Sequence, residues 1–131
     1  MNLVADTNIF LAVALDEPEK PGIIKLTLGY NTVSPEILPY EIGNALTAMM
    51  RYHQLSEKEA MTAFRITQNI PVRLIGSDIQ KALDIAMNFN IYAYEACFLQ
   101  CAQSMRSPLL TLDKEISSIA RYLKITVLDP S

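Results

Sequence analysis

Short uninterrupted apolar runs alternate along the chain with longer stretches whose apolar residues recur every three or four positions. The first run, Asn2 to Ala5, predicts a buried strand ending at Asp6. Thr7 or Asn8 then caps a helix to about Leu15. Asp16-Glu17-Pro18-Glu19-Lys20-Pro21-Gly22 breaks the pattern as a solvated loop, before a helix from Ile23 to Leu28 that Gly29 stops. Asn31 to Val33 is a brief strand. Ser34-Pro35 has the form of a helix start, serine as N-cap and proline in the first position. That helix reaches about Tyr52 on a stripe of Leu38, Ile42, Ala45, Leu46 and Met49, with Pro39 kinking or delaying it. Ser56, with Glu59 three residues on, is a capping box opening a helix to about Asn69. The remainder alternates again. A strand Val72 to Ile75 precedes a Ser77-capped helix through Asn88, and the link Ile91-Tyr92 leads to a buried helix Ala93 to Met105. A strand Leu109 to Leu112, a helix Lys114 to Leu123 and a strand Ile125 to Leu128 complete the chain.

Strands of a few residues, apolar throughout and separated by helices, indicate a parallel sheet covered on both faces. The expected architecture is a single α/β domain over residues 1–131, its short, mostly parallel sheet of four to five strands flanked by helices on both faces. At 131 residues, half of them hydrophobic, the chain can build one full core. No apolar run approaches the roughly 20 residues of a membrane-spanning helix. No basic stretch precedes the first apolar run, which argues against a secretory signal. Cys97 and Cys101 are too few for a disulfide framework, so a reducing cytoplasm is expected. Although one helical turn apart, the two thiols lie among Phe98, Ala102 and Met105 and read as small buried hydrophobes.

Charge narrows the chemistry. A net charge of -3 weighs against binding nucleic acid through a basic face alone. It leaves room for acids that hold cations. With one histidine, His53, neither a histidine-built zinc site nor a two-imidazole mechanism is available. Asp6 and Asp113 both follow a strand, where functional groups of open parallel sheets gather. A single acid there is ordinarily a helix N-cap, but Asp6 sits between Leu3-Val4-Ala5 and Ile9-Phe10-Leu11, where a carboxylate needs a cation or donors. Glu41 borders the apolar stripe of its helix, although most helical glutamates face solvent. Glu95 opens the helix beginning Tyr94-Glu95-Ala96, a place the helix dipole alone explains. Together the four are hard oxygen donors suited to magnesium or manganese, which support phosphoryl displacement without a protein nucleophile.

Asp6-Thr7-Asn8 after the first strand, Glu41 on the following helix, Tyr94-Glu95-Ala96 at a helix start and Leu109-Leu110-Thr111-Leu112-Asp113 resemble the PIN-domain family. Within it, the small VapC-type toxins of toxin–antitoxin pairs are most similar. The resemblance spans nearly the whole chain in the same order. It implies a Mg2+- or Mn2+-dependent ribonuclease with Asp6, Glu41, Glu95 and Asp113 as ligands and Thr7, Asn8 and Thr111 as supporting groups. It also implies a homodimer and a small antitoxin partner. Glu95 departs from the family's usual aspartate by one methylene, which bears on metal geometry. Lys114, beside Asp113, is the first candidate for contacting substrate phosphate, ahead of Arg51, Arg65 and Arg73. The competing reading is a catalytically weakened module of the same fold that binds RNA or a protein. An aspartyl-phosphate chemistry is less favoured. Phosphatases of that kind want a second acid two residues after the first, where Asn8 stands, and Ser77-Asp78 after the third strand reads as cap and surface.

Overall fold

The computed structural model describes residues 1–130. Five strands form one parallel sheet: β1 (Asn2–Ala5), β2 (Asn31–Pro35), β3 (Arg73–Ile75), β4 (Leu109–Leu110) and β5 (Val127–Leu128), in the order β3-β2-β1-β4-β5. Seven helices connect them: α1 (Thr7–Ala14), α2 (Lys20–Thr27), α3 (Leu38–Arg51), α4 (Glu57–Gln68), α5 (Ile79–Phe89), α6 (Ala93–Met105) and α7 (Lys114–Tyr122).

Side chains of successive strand residues alternate between the two faces. Leu3, Ala5 and Leu110 pack with residues of α1 to α4, whereas Val4, Val33 and Leu109 pack with α5, α6 and α7. Helix α6 serves both, since Cys97 and Leu99 join the second cluster and Phe98 the first. Leu3, Val4, Leu99, Leu109 and Leu110 are wholly buried, each stabilising the fold by about 1.5–3 kcal/mol. Gly22, in the first turn of α2, lies so close to the backbone of Pro130 that a Cβ there would collide with its carbonyl oxygen.

Several element boundaries differ from the pattern. Ser34 and Pro35 do not start a helix; they end β2. Ser34 is fully buried and its hydroxyl donates to the Ala5 carbonyl at 2.6 Å, so it joins two strands instead of capping α3. Helix α3 begins at Leu38, with no side-chain cap and with Pro39 in its first turn, where a missing N–H costs nothing, so the proline goes with a delayed start. Asp6, not Thr7 or Asn8, caps α1, and Asp78, not Ser77, caps α5. The solvated loop is shorter than its composition suggests, because α2 already begins at Lys20. The capping box at Ser56 and Glu59 is formed as expected, with bonds of 2.9 and 3.1 Å.

Candidate active site

In the strand order β3-β2-β1-β4-β5 the chain leaves β1 toward one edge and later returns to β4 on its other side. Such a reversal opens a crevice beyond the carboxyl ends of the two central strands. Ala5 pairs with Leu110, so Asp6 and Thr111 emerge at the same level, and the Asp6 amide donates to the Leu110 carbonyl at 3.2 Å.

Thr111 ties the two aspartates together. Its buried hydroxyl donates to Asp6 Oδ2 and accepts the backbone N–H of Asp113 at 3.0 Å. Each aspartate also caps a helix: Asp6 Oδ1 accepts from the amide of Asn8 at 3.1 Å, and Asp113 Oδ1 from that of Ile116 at 3.0 Å. The N-cap explanation of these acids is therefore true, and it is incomplete. A cap engages one oxygen, while both residues also line a cleft of about 270 Å³ with Glu41 and Glu95.

All four acids thus meet at one cleft, each at the N-cap or in the first turn of its helix: α1, α3, α6 and α7. Four positive helix ends partly offset the repulsion among four carboxylates. The offset is not complete. Burial above all raises the Asp6 carboxyl to about 6, with Asp113 adding to the rise and the Thr111 bond opposing it. Glu95 is pushed above the usual carboxylate range by burial and then by Asp113, Glu115 and Glu41, and Glu41 by burial.

Among the described residues no lysine, arginine or histidine lines the cleft. Among the described residues the side chains of Glu41 and Glu95 make no hydrogen bond or ion pair, and the buried Thr7 hydroxyl, also on the cleft wall, has no partner. Among the described residues no three His, Cys, Asp or Glu side chains are gathered into a ready ion cage. By chemistry, however, the donors suit a hard divalent cation: carboxylates, an unpartnered hydroxyl and the amides of Asn8 and Asn44, without a sulfur among them.

Lys114 opens α7, exposed to solvent and outside the cleft lining, and Arg51, Arg65 and Arg73 are likewise exposed and absent from it. Cys97 and Cys101 are buried and unoxidised, their thiols pushed up by burial, Cys101 to about 11. Sequence reasoning missed Asn44, Ala45, Ala48, Phe98 and Ile116 on the cleft wall. Asn44 and Ala45, at three and four residues beyond Glu41, share its helix face, and that spacing was the available signal.

The fold and its cleft define an α/β domain with an acidic site at the switch point of a parallel sheet. The family model described as PIN domain matches residues 3–122. The chain belongs to the PIN-domain family. Among solved structures it is similar to PAE2754 from Pyrobaculum aerophilum, with a TM-score of 0.73 at 19% identity, covering 99% of this chain and 84% of that one. VapBC2 from Rickettsia felis, bound to a DNA fragment from its promoter, aligns with a TM-score of 0.67 at 13% identity over 98% of both chains. A toxin–antitoxin complex from Klebsiella pneumoniae aligns at 0.60 and 19% identity, again over 98% of both. No curated protein matches by sequence. No helix among the described residues is long and apolar enough to cross a membrane.

Proposed function

We propose that this chain is a Mg2+- or Mn2+-dependent ribonuclease and the toxin of a toxin–antitoxin pair. The observation that carries the reading is the meeting of Asp6, Glu41, Glu95 and Asp113 in one cleft that contains no cationic side chain. An acidic cluster of this kind is unfavourable on its own and acquires a purpose when a divalent cation joins it.

Asp6 and Asp113 would hold the ion from the strand ends, and Glu41 and Glu95 from α3 and α6. When bound, it supplies charge for a phosphoryl oxygen and a water of lowered pKa. The chain's own contribution is positioning. Thr111 fixes the two aspartates relative to each other, and the helix caps fix one oxygen of each. Glu41 and Glu95, without partners of their own, adjust to the ligand set. Thr7 and Asn8 offer a hydroxyl and an amide to an ion-bound water or to the RNA backbone. Phe98 and Ile116 contribute an apolar wall to the cleft. Lys114, one residue beyond Asp113 and exposed outside the cleft lining, would meet a phosphate of the incoming strand.

An antitoxin partner is supported by the toxin–antitoxin assemblies among the similar structures. A homodimer finds a candidate surface in the exposed row Ile79, Leu83 and Met87, spaced four residues apart along α5. The deciding experiment incubates the purified chain with RNA in magnesium, manganese or excess chelator. Cleavage is expected only with the metals, and Asp6→Asn and Asp113→Asn, which can keep their helix caps, are expected to lose it with unchanged circular dichroism. Equal cleavage by either variant, with contaminating nuclease excluded, would falsify the assignment.

A further inference from the structure

Beside the acid cleft lies a second groove, of about 460 Å³, lined by Glu41, Asn44, Tyr92, Ala93, Tyr94 and Glu95. It shares Glu41, Asn44 and Glu95 with the cleft, so the two are continuous, and whatever crosses the acids toward α6 enters it. Its aromatic side chains are exposed: Tyr92 at 81% and Tyr94 at 51%. Tyr92 is the N-cap residue of α6 but makes no side-chain capping bond, in a position where serine, threonine, aspartate or asparagine would stabilise the helix. The only paired rings among the described residues are Phe89 and Tyr122. Neither Tyr92 nor Tyr94 is therefore stacked on another ring, and both present aromatic surface to solvent.

We infer that this groove is a nucleobase subsite, in which Tyr92, with Tyr94 beside it, stacks on a base next to the phosphate that the acids cleave. The inference rests on the ribonuclease reading for its orientation. Among the described residues neither the cleft nor the groove is lined by a lysine or arginine, so no side-chain cation of this groove holds the strand by its phosphates. Single strands are held in such places by stacking on aromatic rings, which every base permits because every base has a π-face. The Asn44 amide, a donor and an acceptor on the wall common to both spaces, can bond to a base edge or to a 2′-hydroxyl. The subsite therefore takes single-stranded RNA and excludes a paired duplex, whose bases are already stacked on each other. Tyr92 is a binding residue in this scheme: it acts on affinity and leaves the chemical step alone.

The test measures KM and kcat of the full chain with a short fluorescein-labelled single-stranded RNA, and its binding by anisotropy with calcium in place of magnesium. Tyr92→Ala is expected to weaken binding and raise KM about tenfold with kcat little changed, whereas Tyr92→Phe and Tyr92→Trp retain the parent values. Replacing the nucleotide on either side of the cleaved bond by an abasic one should abolish the difference between Tyr92→Ala and the parent for one of the two positions. If the parent cleaves and Tyr92→Ala matches it in KM and affinity, the subsite is overturned, the nuclease stands, and the groove serves a protein surface instead. If the parent binds the RNA through Tyr92 yet never cuts it, the nuclease reading fails and the subsite stands. Loss of affinity that persists unchanged with both abasic substrates also overturns base stacking.

Discussion

The hydroxyl of Thr111 is the smallest group on which the site depends. It is buried, donates to Asp6 and receives the amide of Asp113, so one oxygen sets the spacing of two carboxylates. Thr111→Val keeps the shape and removes both bonds. Stability is expected to fall by about 1–3 kcal/mol, the usual cost of leaving buried polar groups unpaired. Divalent-ion affinity, followed by calorimetry, is expected to fall roughly 10–100-fold, as when other partners that orient ligands are removed, while Thr111→Ser retains most of both. A Thr111→Val protein with parental ion affinity would show that the aspartates need no tether. Much of this site was legible in the residues themselves. Asp6 announced itself by standing between two apolar runs, and Asp113 by following Leu109-Leu110-Thr111-Leu112. Glu41 and Glu95 read on their own as ordinary helical acids and were singled out only by the family resemblance, because the cleft they share is built from segments distant in the chain. Asn44 carried no signal beyond its spacing from Glu41, and Tyr92 became visible only as the wall of a space.

Among the elements, the alternation of short apolar runs with helical periods was enough to establish a parallel α/β sheet. Burial on both faces favours continuous apolar runs in the central strands, and β1 shows this after its first residue, with Leu3, Val4 and Ala5 all at 0% exposure. Boundaries were harder where one residue type suits two roles. Serine before proline is a strong helix start, yet at Ser34 the hydroxyl turns to the Ala5 carbonyl, a tertiary bond that outweighs the local preference. This distinction can be tested. Ser34→Ala is expected to cost about 1 kcal/mol in urea unfolding through loss of that buried bond. The helicity of α3, which Ser34 does not cap, should remain unchanged by circular dichroism. Because Ala5 directly precedes Asp6, the same variant should also loosen the strand end on which the first acid stands. Hydrogen exchange at the Asp6 amide, bonded to Leu110, is expected to accelerate. A drop in helix content instead would return Ser34 to the role of a cap.

For the molecule as a whole, the acid cleft makes stability depend on pH in a sense opposite to that of most surface carboxylates. Asp6 titrates at about 6 in the folded chain against 3.8 for the free group, chiefly because burial disfavours its charge. Between those values the folded chain keeps a proton that the unfolded chain has released, so each rise in pH favours unfolding. The stabilisation is complete below the unfolded value and is lost as pH rises through about 6. Asp6 is only 7% exposed, and the shift corresponds to roughly 3 kcal/mol. Glu41 and Glu95, raised in the same direction, add to the slope, whereas Glu59, lowered by its capping box, opposes it. Comparing the parent with Asp6→Asn separates the Asp6 contribution from the rest. In chelator, the urea midpoint of the parent is expected to fall relative to that of Asp6→Asn from about pH 4 to about pH 7. Magnesium or manganese then restores the parent at the upper end of that range, by about 2.7 kcal/mol when the ion is at a hundred times its Kd. Asp6→Asn, which lacks one carboxylate charge, is expected to gain less. If the difference between the two proteins is flat with pH in chelator, Asp6 is not a buried, charge-starved group. If it slopes as expected but neither ion reverses it, the cleft stores its repulsion for something other than a divalent metal.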